Sequence, residues 1–319
     1  HEYHQRSSSM IQYFLNRLLQ TIPVLFGVIV ITFVLMYIIP GDPVVSMVGE
    51  RYNEETIQRL REDMHLDDPL FIQFFRYVGN VVRGNFGNSF ITGEPVINLI
   101  MEKFPNTMML AVCAMFFAIL FGLTAGILTS IRPGSFIDRG IMVLALAGIS
   151  APVFWVGLIL ILVVGVMLRW LPPTGFGGIE YLILPALTLG LRSAAYLARL
   201  TRATMLDVMS QDYIRTARSK KLSEWKIYLQ HAFPNTLIPV ITVIGTDFGS
   251  YLSGAVLTES IFGWPGIGRL ALEAIMKRDF PVIQGTVLFM AIMFVLMNVL
   301  VDMLYGVVDP RIRLERSGK

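Results

Sequence analysis

The side chains that most often carry catalysis or bind metals are scarce in this sequence. Cys113 is the only cysteine, which excludes a disulfide framework, a multi-cysteine zinc site and a CxxC redox motif. Of the four histidines, only His65 and His231 lie beyond residues 1–9, and they lack the spacing of metal ligands. We therefore predict neither a catalytic residue nor a metal site in this chain.

Short motifs for nucleotide binding and for intramembrane catalysis do not occur in the sequence either. There is no G-x-x-x-x-G-K-[ST] segment, so the chain has no phosphate loop of that type. An intramembrane enzyme would need a nucleophile with a base or paired metal ligands, and neither H-E-x-x-H nor G-x-S-x-G is present. We expect that this chain binds no cofactor and is not an enzyme.

A few charged side chains interrupt otherwise apolar runs. Asp247 lies in the run 237–260, and Arg192 and Arg199 lie in the run 181–200. Because a charge at the centre of a membrane helix costs about 2.5 to 3.5 kcal/mol, these helices should face protein or water rather than lipid. Asp247 either lines a polar path, where its carboxylate attracts an ammonium group or another cation, or it pairs structurally with Arg192.

The overall composition places these residues in a membrane protein. Apolar residues make up 54% of the chain, charged residues only 15%, and the mean hydropathy is +0.62. Four further runs are long enough to cross about 30 Å of hydrocarbon. They are 18–41, 104–131, 140–168 and 280–301. Together with the two interrupted runs they predict an all-α integral membrane protein with six transmembrane helices.

Basic residues predict how these helices are oriented. Lys and Arg are concentrated in the segments 1–17, 131–140, 192–236 and 308–319, which are the connections on one side of the membrane. Because Lys and Arg are retained on the cytoplasmic side, both termini are predicted to be cytoplasmic. The net charge of +3 is therefore attributed to these loops, and no nucleic-acid partner is expected.

The segment 42–103 is predicted to be a small extracytoplasmic helical subdomain. It carries ten of the 23 acidic residues. Asn53 is a candidate cap for one amphipathic helix, and Pro69 is placed to begin a second. These helices either pack on the outer membrane face or form a docking surface for an external partner.

The segment 199–234 is the longest basic connection, and two short helices are expected in it, from Asp212 and from Ser223. Pro234 is expected to end the second helix. Such a pair of helices could act as a rigid lever, whereas the alternative is that the basic residues contact anionic lipid.

Nine short stretches, in order along the chain from Met10, are similar to the dipeptide and oligopeptide permease family of ABC importers. They are IPGDP (39–43), FGNSF (86–90), PVINLI (95–100), FPNT (104–107), LILPALTLG (182–190), DYIRTARSK (212–220), TESIFGWPGIGRL (258–270), RDFPVIQG (278–285) and VDMLYGVVDPRIR (301–313). The resemblance covers nearly the whole chain and implies a permease subunit that forms half of a translocation path.

The family's cytoplasmic EAA loop has its counterpart here. Residues 215–217 occupy the E-A-A positions, His231 and Pro234 fall within the later I-x-L-P positions, and Lys221 stands where the family has glycine. A glycine between two helices commonly has a left-handed backbone, which costs a residue with a Cβ roughly 1 kcal/mol or more. Lys221 therefore either adopts that conformation or the turn shifts.

The resemblance also implies roles for individual residues. The ATPase-coupling loop is expected to use Asp212, Tyr213, Arg215, Thr216, Ala217, Lys221, Glu224, His231 and Pro234. The translocation path is expected to involve Asp247 and Arg192. Glu259, Trp264, Pro265 and Gly266 are expected to close the outside of the path, with an aromatic anchor at the membrane interface as the alternative.

The expected organisation follows from these assignments. Residues 1–9 are interpreted as a cloning remnant rather than a signal peptide, and 10–41 as the cytoplasmic N-terminal end with the first span. Residues 42–103 form the outer subdomain, 104–311 the permease domain with its coupling loop at 203–236, and 312–319 the cytoplasmic tail.

The resemblance implies an assembly in the bacterial or archaeal cytoplasmic membrane. Its other members would be a second homologous permease, two cytoplasmic ABC ATPases that use ATP and Mg, and an extracytoplasmic binding protein, all within membrane lipid. Dipeptides or oligopeptides are the expected substrates, with nickel chelates or glutathione as alternatives. A passive channel is the remaining alternative, although a passive pore has no need of an intracellular lever.

Overall fold

The computed structural model describes residues 19–35, 37, 44, 54–63 and 65–308, and the extended elements of this part of the chain are helical. The helices are α1 (Leu19–Leu35), α2 (Glu54–Asp63), α3 (Leu70–Val82), α4 (Val96–Ile131), α5 (Phe136–Ser150), α6 (Val153–Met167), α7 (Glu180–Met209), α8 (Asp212–Ser219), α9 (Glu224–Leu252), α10 (Val256–Phe262), α11 (Ile267–Lys277) and α12 (Phe280–Val308). The predicted all-α fold class is confirmed.

The number of membrane spans can be compared only within the described residues. There, α4, α7, α9 and α12 are long and apolar enough to cross a membrane, and α5 with α6 makes a fifth if the bent pair is one span. The first predicted span, 18–41, is described only in part, as the shorter apolar helix α1. Residues 1–18, the candidate cap Asn53 and the tail 312–319 lie outside the described residues.

The run 140–168 is not the single straight span that its hydropathy predicts. It falls into α5 and α6, which are bent by 109° relative to each other. Ala151 is extended, with φ −74° and ψ 134°, and Pro152 follows it as the N-cap of α6. A proline disfavours helical geometry at the preceding residue and has no N–H to continue the ladder, so the helix breaks at this point.

The chain divides into two compact units, of which the first comprises residues 1–107 and 265–295. Its buried centre includes Val96, Ile100, Ile267 and Val282. Both helices predicted in the segment 42–103 are present as α2 and α3. The apolar helix α3 packs on α1, where the ring of Phe74 lies 5.3 Å from that of Phe33 in an edge-to-face arrangement.

Polar contacts within the first unit join motifs that are distant in sequence. Asp279 is buried and accepts hydrogen bonds from the Ser89 hydroxyl and, at 3.0 Å, from the backbone N–H of Phe90. Thr107 accepts a hydrogen bond from the N–H of Ile267 at 2.9 Å. The FGNSF, FPNT and RDFP stretches therefore hold the loop around Ser89 and the start of α11 in place within this unit.

The second unit comprises residues 108–264 and 296–319, and α7 runs through its centre. Of the four long candidate spans, α7 is the most buried: 61% of its apolar 18-residue stretch lies inside the protein. Glycines on α4 allow this close approach: an added Cβ at Gly126 would lie 2.6 Å from the Thr201 Cβ. A Cβ added at Gly122 would likewise lie 2.7 Å from the Leu197 Cβ. Small residues at helix interfaces permit such backbone contact in membranes.

Replacing Gly126 with alanine should destabilise the chain. The added methyl would also lie 2.8 Å from the Ala198 carbonyl oxygen, so α4 and α7 must separate. Overpacking of this kind costs about 1 to 3 kcal/mol. We expect a lower unfolding midpoint for the Gly126→Ala protein in detergent.

The matched control is Gly140→Ala on α5, where no atom lies within 4 Å of the added Cβ. Alanine improves helix propensity by about 1 kcal/mol, so this variant should keep or raise the midpoint. Equal midpoints for the two variants would contradict the close α4–α7 contact.

Candidate functional site

A cavity of about 800 Å³ lies in the second unit beside α9. Its polar lining includes Thr242, Thr246 and Ser250, which follow each other at four-residue spacing along one face of the helix. Arg192 and Asp247 line the same cavity. The cavity therefore offers hydroxyl groups and one charge of each sign to a polar solute.

The Asp247 side chain is held by a hydroxyl network. Ser193 on α7 donates a hydrogen bond to its Oδ2 at 2.5 Å, and the Ser193 oxygen lies 2.5 Å from the Tyr251 hydroxyl. Tyr251 in turn donates to the Leu189 carbonyl at 3.0 Å. The other carboxylate oxygen, Oδ1, makes no hydrogen bond to the described residues. Oδ2 is thus fixed, and the residue lines the cavity.

Asp247 and Arg192 line the same cavity, and their charges attract each other without direct contact. Both residues are described, and no ion pair within 4 Å joins them. Arg192 is exposed on the cavity wall, whereas Ser193 beside it is buried. Whether Asp247 lines a path or pairs with Arg192 therefore stays a prediction.

A second candidate region is the helical turn formed by α8 and the start of α9. One side of it packs into a cluster with α7: Ile214 and Ala217 from α8, and Ile227 and Tyr228 from α9, are buried around Met205. Ile131, the last residue of α4, packs on the same cluster. The turn is therefore attached to the ends of two long helices.

The other side of this turn is exposed. Asp212, Arg215 and Thr216 lie on the surface of α8, and Glu224 begins α9, also exposed. Tyr213 accepts a hydrogen bond from the Asn235 amide at 3.0 Å, and desolvation raises the pKa of its phenol. The turn therefore exposes charged side chains on one face while its other face is packed against α7, an arrangement suited to contact with another protein.

Lys221 takes the left-handed conformation that its glycine position predicts. Its φ is 54°, and its N–H donates to the Arg218 carbonyl at 2.8 Å. Across the turn, Arg218 Nε lies 3.2 Å from Glu224 Oε1, and both side chains are exposed. Of the two expectations for this position, the strained conformation is the one observed.

Pro234 does not end the second helix, contrary to the prediction. The helix continues from Glu224 to Leu252, and its segment Ile227–Ala232 is π-helical, with His231 in it and Pro234 in the turn after it. A proline cannot donate to the ladder and its ring needs room at the residue four positions back. The wider π-turn accommodates these demands without breaking the helix.

The residues expected at an outer gate are distributed over the two units. In the second unit, Glu259 and Trp264 are both fully buried, and the Trp264 ring packs edge-to-face on Phe176 at 5.0 Å. Burial inside the protein does not suit an interfacial aromatic anchor, which would be exposed to lipid headgroups. In the first unit, Pro265 accepts from the Asn106 amide at 2.9 Å, and Gly266 is the N-cap of α11.

Ser193 and Tyr251, which hold Asp247, are among the cavity residues that the sequence analysis did not single out. Both are neutral and lie in apolar runs, so neither charge nor hydropathy distinguishes them. Tyr251 follows Asp247 by one helical turn, and this spacing was the one indication in the sequence that the two side chains lie on the same face. Among the described residues, no three His, Cys, Asp or Glu side chains come together as metal ligands.

Comparison with known proteins identifies the family. Residues 118–314 match the family described as "Binding-protein-dependent transport system inner membrane component", and residues 10–111 match the N-terminal region of such components. The first match alone spans more than half of the chain, so the chain belongs to this family. It is a permease component of an ABC transporter, the class that imports solutes with the help of a binding protein.

Individual relatives are similar over nearly their whole length. The chain is 43% identical to the di/tripeptide transport system permease protein DppB of Pseudomonas aeruginosa, over 96% of this chain and 100% of that protein. It is 42% identical to the glutathione transport system permease protein GsiC of Escherichia coli K12, over 95% and 99% respectively.

The fold itself is similar to that of a solved structure. Inward-facing conformations of the MetNI methionine ABC transporter match with a TM-score of 0.58, over 67% of this chain and 97% of that chain. The sequences share 16% identity, so this match shows a common fold.

Replacing Lys221 with glycine should stabilise the chain. A left-handed backbone costs a residue with a Cβ about 1 to 2 kcal/mol, whereas glycine loses about 0.5 to 1 kcal/mol through its greater freedom in the unfolded state. We expect the unfolding midpoint of Lys221→Gly in detergent to rise.

Lys220→Gly is the control one residue earlier, where φ is −76° and there is no strain to relieve. This variant should lower the midpoint. A fall of similar size in both variants would show that Lys221 does not carry the left-handed turn.

Proposed function

We propose that this chain is the permease subunit of an ATP-driven importer of small peptides and forms half of its translocation path. The observation that carries the proposal is the cavity in which Asp247 and Arg192 present opposite charges without a direct ion pair. A peptide with free termini carries an ammonium group and a carboxylate. Asp247 Oδ1 is available for the ammonium, and the Arg192 guanidinium suits the carboxylate.

The names of the relatives support this class of substrate. One relative is named for di- and tripeptides and another for glutathione, and both names describe short peptides with charged ends. Threonine and serine hydroxyls on the cavity wall can bond peptide groups of any sequence, so the cavity would select for termini rather than side chains.

The energy for transport is supplied by other subunits in this proposal. Two cytoplasmic ATPases use ATP and Mg and press on the exposed face of α8 and the start of α9, so this chain is not itself an enzyme. The surface contacts would come from Asp212, Arg215, Thr216 and Glu224, with Tyr213, Ala217, Lys221, His231 and Pro234 shaping the turn. The coupling turn and both termini then lie in the cytoplasm, as the distribution of basic residues predicts.

The remaining partners complete the assembly in the bacterial inner membrane. A second, homologous permease forms the other half of the path, and an extracytoplasmic binding protein delivers the substrate. Glu259, Trp264, Pro265 and Gly266 help to close the outer side. The buried positions of Glu259 and Trp264 support a structural part in that closure.

Reconstitution of the assembled complex tests the proposal. The tagged chain is purified with its partner subunits and placed in liposomes. ATP is supplied on the side where the ATPases lie. The binding protein and labelled dialanine, trialanine or glutathione are added on the opposite side. We expect uptake of the alanine peptides that requires both ATP and the binding protein. Uptake that follows only the gradient would indicate a passive channel, and uptake of glutathione alone would replace the substrate assignment.

Within that assay, Asp247→Asn should lower dialanine uptake per assembled complex by about tenfold or more. The variant removes the negative charge but keeps the size of the side chain, and a hydrogen bond to a charged group contributes about 1.5 to 3 kcal/mol. Uptake rates at several peptide concentrations measure the effect.

Glu180→Gln removes an exposed carboxylate from the same helix as Arg192, outside the cavity, and serves as the control. It should transport like the unaltered protein. If both variants do so, Asp247 is a packing residue and the substrate does not bind to its carboxylate.

A further inference from the structure

An ion pair between Asp138 and Arg202 joins α5 to α7, and its carboxylate partner is almost completely buried. Arg202 donates from Nε to Asp138 Oδ1 at 2.6 Å and from Nη2 to Oδ2 at 2.8 Å. The Asp138 side chain is 3% exposed and the Arg202 side chain 26%. Two parallel hydrogen bonds between planar groups fix their relative orientation as well as their distance.

Asp138 also organises the turn between α4 and α5. Its Oδ2 accepts from the backbone N–H of Gly134 at 2.7 Å, and its own N–H donates to the Ser135 hydroxyl at 3.2 Å, which caps α5. The arrangement resembles a capping box, in which the residue at N3 reaches back to an orphan N–H. One carboxylate therefore holds the start of α5, the preceding turn and the side of α7 together.

The pair lies next to the cluster that anchors α8. Arg202 precedes Met205, which is fully buried in that cluster, by one helical turn on α7. Ile131, which packs on the same cluster, is separated from Gly134 by only two residues. A displacement of α8 that moves the end of α7 must therefore act on Arg202 before it reaches the cavity at Arg192.

We propose that the Asp138–Arg202 pair is a positioning pair that makes α5 follow α7 when α8 is displaced. Apolar contacts have no preferred direction, whereas a bidentate charge pair fixes one relative orientation of α5 and α7. Removing a charge partner from a buried site is costly, so the pair should stay closed throughout the transport cycle. This inference rests on the proposed importer, in which the displacement comes from the ATPases.

The test uses the complete complex and measures peptide transported per ATP hydrolysed. Arg202→Lys keeps the charge but loses the planar fork, so the complex should assemble and hydrolyse ATP while transporting about fivefold less peptide per ATP, the lower end of typical coupling effects. The double variant Asp138→Asn with Arg202→Gln, which keeps hydrogen bonding without charge, should show a larger loss in the same ratio.

Arg199→Lys is the matched control, since Arg199 is exposed on the same helix less than one turn away and does not line the cavity. Its ratio should equal that of the unaltered complex. A normal ratio for Arg202→Lys would overturn the inference, and so would failure of Arg202→Lys to assemble, because the pair would then serve folding alone. If the unaltered complex itself shows no ATP-dependent uptake, the proposed function fails instead.

Discussion

Close backbone contact between α4 and α7 is the constraint on which the second unit depends. The contact exists because Gly122 and Gly126 on α4 leave no room for a side chain against Leu197, Ala198 and Thr201. Gly190 on α7 makes a similar close contact with α4, since a Cβ there would lie 2.5 Å from the Ala114 carbonyl oxygen. Lipid tails are as apolar as leucine, so such close packing, rather than hydrophobic burial, must hold these helices together.

A helix held so firmly can carry force along its length. The middle of α7 supplies Arg192 and Ser193 to the cavity, and its C-terminal end supplies Met205 to the cluster that anchors α8. In the proposed importer, a push on the exposed face of α8 would move the cavity wall, because the packed interior resists compression. In the proposed importer, ATP hydrolysis on another subunit would change access to the path in this way.

Much of this arrangement could be predicted from the sequence, and the remainder depended on tertiary contacts. Hydropathy located the long helices, and the cost of a buried charge singled out Asp247. The Ser193 and Tyr251 hydroxyls have no such cost, so their network appears only when α7 and α9 are placed side by side. Proline rules gave opposite outcomes: Pro152 breaks a helix that hydropathy predicted as continuous, while a π-turn lets the helix continue through Pro234.

Access to the cavity from the two sides of the membrane tests the central claim most directly. Thr246 lies exposed on the cavity wall, so Thr246→Cys in a Cys113→Ala background provides a single thiol there. Its labelling by a membrane-impermeant maleimide is measured from each side, with the complex at rest and with ATP and vanadate. The account predicts that labelling moves from the side of α8 to the opposite side. Labelling from the same side in both states would contradict it.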